Sequence, residues 1–245
     1  MQTPRLKLMA VLAHPDDESL GFGGVLARYG DEGVETSLVT AKRGQRGRYR
    51  GHASEAPEHP GEEALASIRE AELYAAAQVL GIGDIAILDY RDQFLDQADA
   101  REAIRQIAGH IRRVRPHAVI AFAPDGAYGH PDHIAISQFA TSAVVAAADV
   151  GFDAGDGAAH TVSKVYYLAW PASTWAVYEE AFRKLVSHVD GVERQATPWP
   201  DWALTTVIDA RHYWKTVWKA ASCHQSQVTA YASLKNVSEA SHEAL

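Results

Sequence analysis

Residues 6–18 read LKLMAVLAHPDDE, a run from Leu6 to Ala13 with almost no polar alternation that ends abruptly in a histidine, a proline and three acids. A strand covered on both faces, as in a parallel sheet, shows a near-continuous apolar run of this kind. Similar runs recur at Val34 to Thr40, Ile85 to Leu88, Ala118 to Ala123, Val165 to Leu168 and Thr205 to Ile208. Segments with helical spacing lie between them, at Glu62 to Leu80, Asp99 to Val114 and Ile134 to Ala148. Strands alternating with helices predict βαβ units, hence an α/β chain with a mostly parallel sheet and helices on both faces.

The bulk numbers fit one such domain over residues 1–245: 47% of residues are hydrophobic and 22% charged. A net charge of −8 argues against nucleic acid or an anionic membrane as partner, because both require clustered Lys and Arg. A small molecule or a protein is the expected partner. The single cysteine, Cys223, forms no intrachain disulfide and excludes zinc sites of four cysteines or of two cysteines and two histidines, so any metal relies on His and carboxylates. The apolar run before His14 is too short for a membrane span and poor as a signal peptide, which makes the cytoplasm the default. All six tryptophans fall in the C-terminal third, where they suit core filling or subunit contacts; a homo-oligomer stays open.

Two long loops interrupt the pattern: Lys42 to Gly61, which carries Arg43, Arg46, Arg48 and Arg50, and the glycine-rich stretch Gly151 to His160. Loops of this length serve as lids or substrate-binding segments about as often as they are plain insertions.

In an open α/β sheet the ligand crevice lies beyond the carboxyl ends of the strands. That rule brings together HPDDE, directly after the first strand, and PDGAYGHPDH at residues 124–133, directly after the strand AVIAFA. The first offers His14, Asp16, Asp17 and Glu18; the second offers Asp125, Tyr128, His130, Asp132 and His133. Both contain His-Pro-Asp, and proline makes each a stiff corner that aims its neighbours. Two imidazoles and a carboxylate with one open position define a catalytic zinc site. Water there loses a proton near neutral pH, and an adjacent acid can accept it. Asp16 and Asp17 can supply one ligand and one base. The plainer reading is a helix N-cap at DDES and structural histidines; the coincidence of two such corners, each after a buried-type strand, weighs for a site. GFGG at residues 21–24 loosely suggests a phosphate-cradling turn, but the acids before it would repel a phosphate and no complete nucleotide motif is present.

AHPDDE at 13–18 together with GHPDH at 129–133 resembles the signature of the LmbE-like, or PIG-L, family of zinc-dependent N-deacetylases. The resemblance extends to Arg69, Glu72, Ala76, Leu80 and Gly81 (RxxExxxAxxxLG), to YRD at 90–92 and to HxSQ at 224–227. It implies a Rossmann-like fold and removal of the acetyl group from an N-acetylglucosamine conjugate or cleavage of a related amide. It further implies Zn2+ on His14, Asp17 and His133, Asp16 as general base, a protonated His130 at the oxyanion oriented by Asp132, Tyr128 helping to polarise the carbonyl, and Arg69 and Asp92 binding substrate. Arg69, Glu72, Ala76 and Leu80 also form one helical stripe that suits packing alone. The chain departs from the family in having Gln45 and several arginines where Gly-Glu-x-Gly is usual, which suggests either an anionic aglycone or a solvated basic loop. Val217 stands where a lysine is usual, so His224 is carried over only as a rim residue.

The leading expectation is a zinc-dependent deacetylase of an N-acetylglucosaminyl conjugate. The alternatives are an amidase acting on a thiol conjugate or other N-acyl group, and a noncatalytic sugar- or nucleotide-binding protein of the same fold. A site of two histidines and a carboxylate also accepts iron or cobalt.

Overall fold

The computed structural model describes residues 5–182, 186–189, 191–227, 229 and 232–244, without the side chains of residues 182 and 232. In chain order these form β1 (Lys7–Leu12), α1 (Asp17–Leu20), α2 (Gly23–Asp31), β2 (Glu35–Thr40), α3 (Glu62–Leu80), β3 (Asp84–Ile87), α4 (Ala100–Val114), β4 (Ala118–Phe122), the kinked turn α5 (Gly126–Gly129) and α6 (Pro131–Ala148). There follow β5 (Lys164–Leu168), α7 (Trp175–Phe182), β6 (Val186–Val189), β7 (Val192–Gln195), α8 (Trp214–Ala221) and α9 (Glu239–Ala244).

β1 is apolar from Leu8 onward because it is the central strand: β2 pairs with it on one side, β4 on the other, and its residues are buried on both faces. The sheet order is β3-β2-β1-β4-β5, all parallel. The chain leaves β1 in one direction, to β2 and β3, and then returns to place β4 on β1's other side. The switch point between β1 and β4 opens a crevice at their carboxyl ends. α2, α3 and α8 pack together on one face of the sheet, while α4 and α6 pack together on the other. Leu26, Leu38 and Leu73 fill the core on the first side, Ile107, Ile111 and Ile136 on the second. The antiparallel pair β6–β7 stands apart from the sheet and touches α5.

Several element ends follow from local chemistry. Asp99 caps α4 by accepting the Glu102 N–H at 3.1 Å, and α3 stops at Gly81, which adopts a left-handed φ of 76°. α6 begins one turn earlier than the expected Ile134. His130 is its N-cap and Pro131 its first residue, so the second His-Pro-Asp corner is itself the start of the helix. The run Thr205 to Ile208 forms no strand. Its β-branched residues satisfy strand propensity, but that propensity is realised only through pairing, and here Val207 is 81% exposed. Beside this run the α2–α8 face stays open in a groove of about 1280 Å³ that includes Trp170, Trp214 and Trp218. The loop 151–160 packs at the far end of the molecule, against Arg112 and the residues before β4, where His160 Nε2 meets the Pro116 carbonyl at 2.8 Å. No described helix is long and apolar enough to cross a membrane.

Candidate metal centre and active site

The two His-Pro-Asp corners meet across the switch point. His14 follows β1 and His133 lies in the first turn of α6; His14 Nδ1 and His133 Nε2 are 3.1 Å apart. Asp17 completes a triangle, with Oδ1 at 3.4 Å from His133 Nε2 and Oδ2 at 3.6 Å from His14 Nδ1. Asp17 turns a different oxygen to each histidine, so the three groups border one space; the trios whose ligand atoms all lie within 4.8 Å of one another, among the described residues, are His14, His130 and His133, and His14, Asp92 and Asp132. His14 Nε2 faces Asp132 Oδ2 at 3.2 Å and Asp92 Oδ1 at 3.5 Å. A carboxylate partner there fixes the Nε2–H tautomer and leaves the Nδ1 lone pair for a metal. The His133 ring lies flat on Phe122, 3.9 Å between centroids, which sets its plane.

Each acid around the triangle has a cation of its own. Lys42, fully buried at the end of β2, contacts Asp132 and lies 3.6 Å from Asp92. Arg69 donates to Asp16 Oδ2 at 3.2 Å and to the carbonyls of Pro15 and Gly44. Gly44 is required beneath it: φ is +65°, and a Cβ there would stand 2.2 Å from Arg69 Nη1. Glu18 and His224 form a buried pair at 2.7 Å, and Glu18 Oε2 accepts the backbone N–H of Asp16 at 2.9 Å. Asp17 is the acid shared by both histidines. His14, Asp92 and Asp132 also lie within metal-ligating distance of one another. There, however, the Lys42 ammonium already supplies the positive charge, which makes that cluster the support of the triangle.

These pairings set the protonation states. Burial opposes it, yet Asp132, Asp17 and Asp92 raise the His14 pKa well above the ordinary range. Burial likewise works against the Asp17 carboxylate, but His133 and His14 hold its pKa well below the ordinary value. Burial and the neighbouring Asp17 push Asp16 up to about 6 against the pull of Arg69. His130 is lowered to about 3, first by burial and then by the charges of His14 and His133. Its Nδ1 accepts the Asp132 backbone N–H at 3.1 Å as the cap of α6, so the ring is neutral with its proton on Nε2. Burial raises the Tyr128 phenol, which stays protonated; its ring meets His133 edge-on at 5.2 Å.

The site residues named from sequence therefore sort by depth. His14, Asp16, Asp17, Tyr128, His130 and His133 gather at the strand ends. Asp132 turns its carboxylate to His14 and Lys42 and leaves only its backbone N–H to His130 Nδ1, with Oδ2 4.0 Å from that nitrogen. Arg69 and Asp92 are buried beneath the site: Arg69 gives Nη1 and Nη2 to Gly44, Pro15 and Asp16 while its Nε has no hydrogen-bond partner among the described residues, and Asp92 faces His14, Lys42 and the backbone of Arg46 and Gln93. The cap reading of DDES fails on geometry: Asp16 holds the N-cap position of α1 at φ 117°, but its side chain makes no capping bond. Three features were missed. Lys42 ends a buried-type strand, the same signal that marked the histidines. Glu72 binds Ser226 through its N–H at 2.7 Å and its Oγ at 2.6 Å, which ties the α3 stripe to the HxSQ turn. Gln93 donates its N–H to Asp132 at 3.2 Å from a left-handed φ of 66°.

A doubly wound sheet brings two histidines and an aspartate to its switch point, with a second acid beside them, a donor set of the kind that can hold a catalytic metal. The model of the family "PIG-L: GlcNAc-PI de-N-acetylase" matches residues 9–144, more than half of the chain, and the chain belongs to that family. It is 33% identical to a 1D-myo-inositol 2-acetamido-2-deoxy-alpha-D-glucopyranoside deacetylase of Geodermatophilus obscurus, over 93% of this chain and 84% of that one. It is 34% identical to a second protein of that description from Catenulispora acidiphila, over 91% and 80% of the two chains. Among solved structures the fold matches the N,N'-diacetylchitobiose deacetylase of Pyrococcus horikoshii with a TM-score of 0.68 at 22% identity, covering 91% of this chain and 71% of that one. It also matches the 4-carboxy-2-hydroxymuconate hydratase GalB of Pseudomonas putida with a TM-score of 0.70 at 21% identity, covering 95% and 84%. Deacetylase and hydratase share this fold, so chemistry has to be argued from the site.

Proposed function

We propose that this chain, acting as one catalytic domain over residues 1–245, is a zinc-dependent cytoplasmic enzyme that hydrolyses the N-acetyl group of an N-acetylglucosamine conjugate with a small aglycone. The observation that carries the reading is the triangle of His14 Nδ1, Asp17 and His133 Nε2 with Asp16 next to it. The deacetylase relatives support the substrate class. Held by those three ligands, a zinc ion supplies the Lewis acidity that makes water nucleophilic near neutral pH.

The chain's own groups do the rest. Asp16, with a pKa raised to about 6, accepts a proton from the attacking water as its oxygen bonds to the acetyl carbon. Arg69 keeps the Asp16 carboxylate in place from below. His130 presents a neutral Nε2–H to the developing oxyanion, and the Tyr128 hydroxyl adds a second donor. When the carbon–nitrogen bond breaks, the proton held by Asp16 passes to the departing amine; acetate and the free amino sugar result. Asp92, Asp132 and Lys42 keep His14 aimed at the metal.

The test combines metal analysis with one substitution. Wild-type protein should carry about one zinc and release acetate from N-acetylglucosaminides, and Asp16→Asn should keep the zinc while losing about 10²- to 10⁴-fold in kcat. Release of a larger acid from another N-acyl substrate, with no acetate from any sugar amide, would move the reading to a different amidase. Loss of zinc from Asp16→Asn would overturn the role given to Asp16.

A further inference from the structure

The turn that carries Tyr128 is bent against local preference. Gly126, Ala127 and Gly129 all have left-handed φ, at 65°, 66° and 73°, and Ala127 reaches that region with a side chain attached. Its ψ of −56° takes it outside the ordinary left-handed well as well. A residue other than glycine stays in such a conformation only where its surroundings hold it there.

Asp125 does the holding. Its Oδ1 accepts the Ala127 N–H at 3.0 Å, and its backbone carbonyl accepts the Gly129 N–H at 3.1 Å. Its other carboxylate oxygen, Oδ2, accepts the indole Nε1–H of Trp199 at 3.1 Å, across 74 residues of sequence. Trp199 is itself anchored just beyond the end of β5: its N–H donates to the Trp170 carbonyl at 2.8 Å, and its carbonyl accepts the Ala172 N–H at 2.9 Å. An indole has one donor and no acceptor, so this bond also fixes how the carboxylate is turned. A line of contacts therefore runs from the edge of the sheet through Trp199 and Asp125 to the Ala127 amide, next to Tyr128. On the other side of the turn, Ser187 Oγ of β6 donates to the Tyr128 carbonyl at 3.1 Å. Both partners of the indole bond lie at the surface, Trp199 being 37% exposed, so the bond is not a by-product of core packing.

We propose that Trp199 and Asp125 are positioning residues, a clasp that holds the turn Gly126–Gly129 so that the Tyr128 hydroxyl stands where it polarises the acetyl carbonyl. The proposal rests on the deacetylase reading for the role of Tyr128, and two readouts on the zinc-loaded protein keep them apart. Trp199→Phe keeps an aromatic ring and removes the donor. The first readout is the nuclear magnetic resonance signal of ring-labelled tyrosine, assigned to Tyr128 by its loss in Tyr128→Phe. Trp199→Phe should shift that signal, whereas Trp202→Phe, on a side chain 88% exposed, leaves it in place. A Tyr128 signal unmoved by Trp199→Phe would overturn the clasp, whatever the enzyme turns over. The second readout is acetate release from an N-acetylglucosaminide. Trp199→Phe should lower kcat about tenfold with KM unchanged, as displacement of a group used only in the transition state does. Asp125→Asn, which leaves one oxygen for two donors, should do the same. Tyr128→Phe should lose at least as much, and Trp199→Phe/Tyr128→Phe no more than Tyr128→Phe alone. Losses that multiply in the double variant would overturn the clasp, because a structural role of the indole is independent of the Tyr128 hydroxyl. Absence of acetate release by wild type, with a Tyr128 signal that still responds to Trp199→Phe, would overturn the deacetylase reading and leave the clasp.

Discussion

At the scale of single residues, Lys42 has the largest expected effect for a residue that touches no metal. It is fully buried, and its partners Asp132 and Asp92 both have pKa values far below the ordinary range, burial being outweighed by His14 and Lys42. Lys42→Met removes the ammonium and leaves two buried acids facing one histidine. Breaking a buried pair from one side costs about 3–5 kcal/mol, so urea unfolding of the metal-free protein should show a loss of that order; less than about 1 kcal/mol would mean that the pair is solvated. His14 carries a second prediction. Because its acids raise its pKa, in the metal-free protein it holds a proton that a metal must displace. Zinc affinity should therefore rise with pH, by up to about tenfold per unit while His14 is protonated. Calorimetry in two buffers of different ionisation enthalpy should detect the released proton.

At the scale of elements, α1 and the turn after α8 are joined by Glu18 and His224. Burial raises the Glu18 pKa, but His224 more than offsets this and the net value is below its ordinary 4.5; stability from this group is present above that pH and is lost as pH falls through the depressed value. Burial lowers that of His224, Glu18 outweighs it, and the net value is above 6.5; its contribution is complete below 6.5 and is lost as pH rises through the raised value. The coupling is thus fullest between 4.5 and 6.5. A Glu18→Gln/His224→Gln cycle on metal-free protein should give about 1–3 kcal/mol near pH 5.5 and less near pH 9. Equal coupling at both would refute the ion pair.

Elements were also the most legible level. All five sheet strands lie within one residue of the apolar runs; the three inner ones, β2, β1 and β4, are buried on both faces and have little polar alternation to blur them, while the edge strands β3 and β5 are only partly covered. Thr205 to Ile208 shows the limit: composition sets propensity, while pairing depends on a neighbouring edge that no local window contains. The site was half legible. The switch-point rule brings the two His-Pro-Asp corners together, and only the family resemblance singles out His14, Asp17 and His133 among their residues; the partners of Asp16, Glu18 and Glu72 follow from neither, since nothing near Glu18 in sequence points to a histidine 206 residues away.

For the whole molecule, the proposed metal triangle joins the end of β1, α1 and α6, and through their supporting contacts the end of β2 and the loop after β3, so an ion bound there would be a staple across the switch point. Chelation should lower the melting temperature, and added zinc should restore it. At a free concentration about 100 times Kd the gain is about 2.7 kcal/mol. A melting temperature indifferent to chelator would mean that the triangle binds no ion under those conditions.

The order in which the chain leaves the ribosome gives the buried Glu18–His224 pair another meaning. Every proposed ligand has been made once His133 emerges, but Glu18 waits for His224, and Glu72 for a serine 154 residues later. A nascent chain thus carries all three proposed ligands before the last contacts beneath the site exist. A chain halted before His224 would retain the means to capture metal while leaving a core carboxylate bare, a half-made product that quality control could recognise by its instability and not by its lack of metal.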